Sequence, residues 1–209
     1  LFSGNYNYVR DGANQALNRL VGYLLRQGVE VRVYSPTTQT PAFEPAGTLI
    51  SLPSIPFPLG RDEYRFALGL PPRIRADLAA FAPDLVHVSA PDVPGHRAVS
   101  WARARGLPVL ATMHTRFETY FQYYGLGFVV PAIEAILRRF YQRCDAVLAP
   151  SQSMADLMHA KRHNDQIGIW ARGIETRIFN PAARSLEWRR SLGLADEDVA
   201  IGFLGRLVM

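Results

Sequence analysis

Short apolar runs alternate with amphipathic helical patterns along most of this chain, and the alternation limits the folds that it can adopt. The apolar runs predict strands at residues 29–34, 48–52, 85–88, 108–113, 146–149 and 166–170. Apolar residues at helical spacing predict helices at residues 13–27, 73–81, 93–105, 131–143 and 151–161. Three prolines in residues 53–58 predict a loop there. Strands that alternate with helices are typical of a parallel sheet covered on both faces, so we expect an α/β fold with a doubly wound, Rossmann-like parallel sheet.

The two ends of the chain indicate more than one domain. Residues 1–3 look like the last residues of a strand, so the first strand is expected to be clipped. Residues 199–204 predict a buried strand, and such a strand needs neighbouring strands and a covering helix. We therefore expect a Rossmann-like N-terminal domain over residues 1–180. Residues 181–209 are expected to be a linker and the first strand of a truncated second domain.

Composition narrows the classes of function. The chain is 48% hydrophobic with a net charge of +5, and its apolar runs fall well short of the roughly 20 residues that span a bilayer. The single cysteine, Cys144, excludes an internal disulfide framework, fits a reducing cytoplasm, and is expected to pack in the core. Scattered basic residues without an aromatic–basic recognition motif argue against nucleic acid as a partner.

The first candidate site is the loop that ends at Asp11 and Gly12. In a doubly wound sheet, ligands bind beyond the carboxyl ends of the strands, and this loop follows the first strand. A glycine at a helix N-terminus lets an anion approach free backbone N–H groups, and the helix dipole favours the negative charge. The alternative is that Asp11 only caps the helix and Gly12 only eases the turn. The loop has neither a dinucleotide fingerprint nor a P-loop motif.

A second candidate site begins at His114, at the carboxyl end of the strand predicted over residues 108–113. A histidine there can bond a polar ligand group and can be neutral or charged near neutral pH. Aromatic rings beside polar groups are typical of carbohydrate sites, and such residues follow His114: Thr115, Phe117, Tyr120 and Tyr124. The alternative is an aromatic, core-facing helix with one satisfied histidine.

The other histidines do not suggest a metal site. His87 lies inside a predicted strand and is expected to be structural. His159 and His163 lie in a charged stretch without a third ligand at zinc spacing. The metalloprotease motif His-Glu-x-x-His and the hydrolase motif Gly-x-Ser-x-Gly are both missing from the sequence. We expect no metal and no other cofactor.

Several short motifs, taken in order, resemble one enzyme family. They are Asp11-Gly12-Ala13, His114-Thr115 with the aromatic residues that follow, Ala149-Pro150-Ser151, Arg172-Gly173-Ile174-Glu175-Thr176, Phe179-Asn180-Pro181 and Gly205-Arg206. The series covers nearly the whole chain and resembles the N-terminal domain of family-four retaining glycosyltransferases of the GT-B fold. The aromatic spacing after His114 is most similar to enzymes that glycosylate lipids, such as phosphatidylinositol mannosyltransferases and sulfoquinovosyl-lipid synthases.

The resemblance implies one half of a two-domain GT-B architecture, with an acceptor-side domain here and a donor-binding domain beyond it. It implies transfer of a mannose-like or glucose-like hexose from a nucleotide diphosphate sugar to a lipid or glycan acceptor, with retention of the anomeric configuration and without a metal. His114 would be catalytic, and Gly12 and Arg206 would bind the donor. The acceptor-binding residues would be Asp11, Thr115, Phe117, Tyr120 and Tyr124.

Two other functions stay open at this level: a non-catalytic sugar- or nucleotide-binding module, and a sugar-nucleotide epimerase. The prediction of a lipid acceptor depends on the helix predicted over residues 131–143, where Arg138 and Arg139 accompany apolar residues such as Ile136. This pattern predicts peripheral attachment to an anionic membrane surface. Together with the family resemblance, it implies a cytoplasmic enzyme of cell-envelope glycolipid synthesis at the inner face of a membrane. The alternative is an ordinary core-packed helix with solvated arginines.

Overall fold

The computed structural model describes residues 1–57, 64–116, 119 and 125–203. Its helices are α1 (Gly12–Arg26), α2 (Pro72–Phe81), α3 (Val93–Arg103), α4 (Val130–Tyr141), α5 (Gln152–Ala160) and α6 (Leu186–Ser191). Four of the helix starts are determined by a polar cap. The side chains of Asp11, Asp92, Ser151 and Ser185 each accept a hydrogen bond from a backbone N–H three residues further on, which satisfies a free donor of the first turn.

The strands form one parallel sheet and one small hairpin. They are β1 (Arg32–Ser35), β2 (Thr48–Ser51), β3 (Ser54–Pro56), β4 (Arg65–Ala67), β5 (Val86–Val88), β6 (Val109–Thr112), β7 (Ala146–Ala149) and β8 (Ile167–Ile169). Phe2 forms parallel bridges to Tyr34 of β1 and to Val88 of β5. The order across the sheet is therefore β2, β1, the Phe2 segment, β5, β6, β7 and β8. The predicted doubly wound α/β fold is confirmed, and the direction of winding reverses between Phe2 and β5.

Buried side chains lie on both faces of this sheet. Neighbouring residues of a strand point to opposite faces, and Val33 and Tyr34 of β1 belong to two different buried clusters. The smaller cluster contains Leu17 and Val21 of α1. The larger cluster contains side chains of α2, α3 and α4, namely Ile74, Leu78, Ala98, Val99, Leu137 and Phe140. Helices therefore cover both faces, as the alternating pattern predicts.

The loop predicted over residues 53–58 is wrong in part, because β3 pairs there with β4 in antiparallel register. The backbone N–H of Phe57 donates to the carbonyl of Tyr64 at 2.8 Å, so the next pair, Pro56 and Arg65, occupies a position without ladder hydrogen bonds. The missing N–H of Pro56 therefore costs no bond, and the proline is compatible with a short strand.

Contacts along the chain divide it into two compact units, Leu1–Arg172 and Gly173–Met209. In the second unit, the guanidinium of Arg190 on α6 pairs with the carboxylate of Asp196. Residues 198–203 have no regular structure, and the side chains of Val199, Ile201 and Phe203 are almost fully exposed. The predicted buried strand is not formed in these described residues, because no strand of the described chain pairs with them. That residues 181–209 begin a donor-binding domain stays a prediction.

Candidate functional site

The carboxyl ends of the parallel strands bring four parts of the first unit to one edge of the sheet. These are the loop after Phe2, the loop after β5, the residues after β6 and the residues after β8. Because the winding reverses between Phe2 and β5, a ligand crevice is expected at this edge.

The first loop, residues 4–11, is tied to the backbone of a neighbouring segment. The Tyr6 hydroxyl, the Asn7 amide and the Arg10 guanidinium each donate to a carbonyl oxygen of residues 42–46, at 2.8, 3.1 and 2.9 Å. Tyr6 and Asn7 are buried. The loop therefore has a defined shape without help from a ligand.

Asp11 and Gly12 end this loop at the start of α1. The Oδ1 atom of Asp11 accepts a hydrogen bond from the backbone N–H of Asn14 at 2.9 Å, so the capping role is present. Gly12 is exposed, and a Cβ atom built on it meets no atom of the described residues within 4 Å. Local packing therefore does not require glycine at this position. As far as the described residues extend, the space beside the helix N-terminus is open, as the approach of an anion requires.

Asp92 lies close to the first loop, across the reversal point of the sheet. Its Oδ1 atom accepts a hydrogen bond from the backbone N–H of Gly95 at 2.8 Å, and a Cβ atom on Gly4 would lie only 3.1 Å from Oδ2. Burial raises the pKa of Asp92 to about 6. Sequence reasoning missed this residue. The Asp-x-x-Gly pattern signals a helix cap, but nothing in the sequence indicates that Asp92 lies beside Gly4.

His114 follows β6 at the same edge. Its Nε2 atom lies 2.9 Å from Oγ1 of Thr112, and its ring packs edge-on against Trp170 with centroids 6.0 Å apart. Its Nδ1 atom is buried and has no hydrogen-bond partner among the described residues. Burial, assisted by the positive charge of Arg172, lowers the pKa of His114 to about 4. The ring is therefore neutral at neutral pH, with one nitrogen left for a ligand.

Arg172 links the two predicted sites electrostatically. Its charge lowers the pKa of His114, while burial lowers the pKa of Arg172 itself and the carboxylate of Asp11 raises it. Arg172 also has a φ of 67°, a left-handed conformation that few residues other than glycine adopt. The sequence places Arg172 just after the last strand of the sheet, but its interaction with both Asp11 and His114 was not predicted.

The structure thus places Asp11, Gly12 and His114 at the predicted edge, and Thr115 is half-buried directly after His114. Their individual roles stay predictions. The other predicted site residues lie outside the described residues: Phe117, Tyr120, Tyr124 and Arg206.

Two residues expected to be structural are buried. Cys144 lies in the larger cluster, where burial raises the pKa of its thiol to about 12. His87 is buried in β5, with Nε2 3.0 Å from Oγ1 of Thr112. Within the described ranges, three or more histidine, cysteine or carboxylate side chains nowhere gather as metal ligands. Across those same ranges, each helix is too short or too polar to cross a membrane.

A doubly wound parallel sheet with helices on both faces defines a Rossmann-like domain, and its carboxyl edge holds the N-terminus of α1 and the neutral ring of His114. The sequence match is more specific. Residues 10–178 match Glycosyltransferase Family 4, and the chain belongs to that family.

Relatives of known activity agree with this assignment. The chain is 32% identical over 205 residues to a GDP-mannose-dependent alpha-mannosyltransferase of Mycolicibacterium smegmatis. The aligned region covers 94% of this chain and 53% of that protein. It is 30% identical over 186 residues to the sulfoquinovosyl transferase SQD2 of Arabidopsis thaliana, covering 88% of this chain and 36% of that protein. It is 25% identical over 213 residues to the alpha-monoglucosyldiacylglycerol synthase of Streptococcus pneumoniae, covering 99% and 48%. The chain therefore spans about half, or less, of these relatives.

Proposed function

We propose that the intact protein is a retaining hexosyltransferase that moves a mannose-like or glucose-like sugar from a nucleotide diphosphate to a lipid or glycan acceptor. The observation that carries the proposal is that one sheet edge holds both the open helix N-terminus at Gly12 and the neutral ring of His114. Membership of the family and the transferase and synthase activities in the relatives' names support it.

In the proposed reaction, the diphosphate of the donor lies against the N-terminus of α1. Gly12 leaves room for the phosphate oxygens, and the helix dipole with the nearby guanidinium of Arg172 stabilises the charge that develops on the leaving group. Arg206 adds a second guanidinium, so the leaving group is stabilised without a metal. His114 forms a hydrogen bond with the donor sugar near the reacting carbon through its Nδ1 atom. The acceptor hydroxyl attacks the reacting carbon from the same face that the diphosphate leaves, so the anomeric configuration is retained. A phosphate oxygen of the leaving group takes the acceptor proton.

The acceptor is proposed to bind beside this position. Only Oδ1 of Asp11 is used in the helix cap, so Oδ2 is available for an acceptor hydroxyl. Thr115 and the aromatic residues that follow it supply the remaining contacts: Phe117, Tyr120 and Tyr124.

The test is turnover by the intact protein with GDP-mannose, the donor named for the mycobacterial relative, and with uridine diphosphate hexoses. His114→Ala should lower kcat by about tenfold or more, which corresponds to about 1.4 kcal/mol of transition-state stabilisation. His159→Ala, an exposed histidine on α5, is the matched control and should leave kcat unchanged. Proton NMR of the product reports its anomeric configuration. Unchanged turnover in His114→Ala would remove His114 from the site.

Two other outcomes identify the alternative functions. Donor binding without any product would favour a binding module. Conversion of labelled donor to a different nucleotide sugar, without acceptor, would favour an epimerase.

An exposed surface on and before α4 supports the proposal of a lipid acceptor. We call this surface the apolar–basic patch, and it consists of Leu126, Phe128, Ile136, Arg138 and Arg139. The side chain of Phe128 is 81% exposed, and Ile136 is half exposed at the edge of the buried stripe of α4 that contains Leu137 and Phe140. Ile136 and Arg139 lie one helical turn apart and are both exposed. Exposed apolar side chains next to guanidinium groups fit the interface of an anionic membrane, so peripheral attachment at the cytoplasmic face is proposed.

Flotation of the intact protein with vesicles tests this surface. Binding should require anionic lipid and should weaken at high salt, because the salt screens the arginine charges. Replacing Phe128 and Ile136 together by serine should lower the bound fraction about threefold or more. Tyr23→Ser, which removes another exposed ring on α1, should not. Failure to float under any condition, with transfer to a soluble acceptor, would contradict a membrane-bound acceptor.

A further inference from the structure

One buried hydroxyl group lies between two imidazole rings. The Oγ1 atom of Thr112 is 3.0 Å from Nε2 of His87 and 2.9 Å from Nε2 of His114. Thr112 and His87 are both buried, at 2% and 8% exposure. His87 lies inside β5, away from the strand end, and the proposed reaction does not use it. Its contact with Thr112 connects it to His114, which the proposed reaction places against the donor sugar.

Strand register brings these three side chains together. Thr112 and His114 are two residues apart, so they project from the same face of the sheet at the end of β6. His87 of β5 is paired with Leu110 of β6, which is two residues before Thr112 and therefore on that same face. His87 and Thr112 are thus diagonal neighbours on adjacent strands, within reach of a long side chain.

The hydroxyl has one hydrogen, and this restricts the two rings. Both rings are neutral at neutral pH, because burial lowers the pKa of His87 to about 3 and that of His114 to about 4. A neutral imidazole has one protonated and one bare nitrogen. If both Nε2 atoms were bare, only one of them could receive the hydroxyl hydrogen. If both were protonated, the hydroxyl would accept twice and its own hydrogen would have no acceptor among the described residues. With opposite tautomers, the protonated Nε2 of one ring donates to the Thr112 hydroxyl, and the hydroxyl donates to the bare Nε2 of the other ring. Both rings and the hydroxyl are then satisfied.

We propose that His87 is a positioning residue, which acts through the hydroxyl of Thr112 to hold the ring of His114 in a single tautomer. The Nδ1 atom of His114, which has no partner among the described residues, then presents one defined role to a ligand, as donor or as acceptor. The effect on turnover rests on the proposed transferase function, but the pairing of tautomers does not. The two statements can therefore fail separately.

The test of the pairing is nitrogen-15 NMR of the imidazole rings in the intact protein, because the ring nitrogen shifts distinguish a protonated from a bare nitrogen. The chain has five histidines, which single substitutions assign. Wild-type His87 and His114 should show opposite tautomers. Thr112→Ser keeps the hydroxyl and should keep both. Thr112→Val removes the hydroxyl at nearly constant shape, and His114 should then become a mixture of tautomers. His87→Leu leaves the hydroxyl free to rotate and should have the same effect on His114.

Turnover gives the second measurement. Thr112→Val and His87→Leu should lower kcat about fivefold with little change in KM, and Thr112→Ser should stay within about twofold of wild type. The same tautomer in both wild-type rings, or unchanged His114 shifts in His87→Leu, would overturn the proposal. If His87→Leu does not fold, the wild-type spectrum and the Thr112 pair still decide the question. If the protein transfers no sugar, the proposed function fails, while the NMR result still tests the pairing.

Discussion

The burial of His114 makes the stability of the protein depend on pH. Burial lowers the pKa of His114 from 6.5 to about 4. Between these values the unfolded chain binds a proton that the folded protein does not, so the free energy of unfolding decreases as the pH falls. The contribution of His114 is fully present above pH 6.5 and is lost as the pH falls towards 4. For one group with this shift, the loss between about pH 8 and about pH 5 is about 2 kcal/mol.

His114→Gln removes the titration and keeps a polar group near Thr112. Urea unfolding of both proteins at the two pH values should show that wild type loses about 2 kcal/mol more than the variant. Asp92, whose pKa is raised to about 6, contributes with the opposite sign, because its folded form binds the extra proton. His87 contributes with the same sign as His114. Both residues are present in both proteins, so Asp92 cancels in the comparison, and His87 cancels except for the part of its pKa shift that comes from His114. An equal pH dependence in the two proteins would refute a buried, neutral ring.

Three further predictions test other parts of the structure. Gly12→Ala should leave stability unchanged and weaken donor binding about threefold or more by calorimetry, because its Cβ enters the space in which the donor phosphate is proposed to lie. The control is Gly22→Ala in the middle of α1, where the new Cβ finds only ordinary contacts. It should add about 0.5–1 kcal/mol of stability and leave donor affinity unchanged. Equal effects of Gly12→Ala and Gly22→Ala on donor affinity would contradict this site. Tyr34→Phe removes a 2.8 Å hydrogen bond to the carboxylate of Asp77 and should cost about 1–3 kcal/mol in urea unfolding, so a cost near zero would show that this bond contributes nothing. Cys144 should react with a thiol reagent only as fast as the protein unfolds, because the reactive thiolate is suppressed, and rapid labelling of the folded protein would contradict its burial.

The regular elements could be predicted where their signals are local. Helix α1 was predicted over residues 13–27 and is Gly12–Arg26, because both the apolar stripe and the Asp11 cap lie within the helix itself. Strand β7 has the predicted bounds. Signals that depend on a partner strand were misread. Pro56 is compatible with a strand only because of its position opposite Arg65, and the apolar residues 199–203 form no strand without a neighbour.

The same distinction applies to the candidate site. The position of His114 was predictable, because a residue directly after a parallel strand must lie at the ligand edge. The contact between Thr112 and His87 depends on the register of β5 against β6, which the sequence pattern does not specify. The interaction of Arg172 with Asp11 joins residues from opposite ends of the first unit. Periodicity within one segment carries no information about such distances.

The way in which the first loop is held has a consequence for how this protein can vary. The loop side chains of Tyr6, Asn7 and Arg10 donate hydrogen bonds to carbonyl oxygens of residues 42–46, and Arg10 also lies over the ring of Phe43 while Ala46 packs against the cluster of Tyr6. Every amino acid supplies the same carbonyl, so substitutions within residues 42–46 that keep Phe43 and Ala46 can change that surface without changing the atoms against which the loop is set. The tolerance is one-sided, because Tyr6, Asn7 and Arg10 each contribute a donor that few other residues can replace. An engineer who wishes to alter the rim of this site should therefore diversify residues 42, 44 and 45 and leave the loop itself intact.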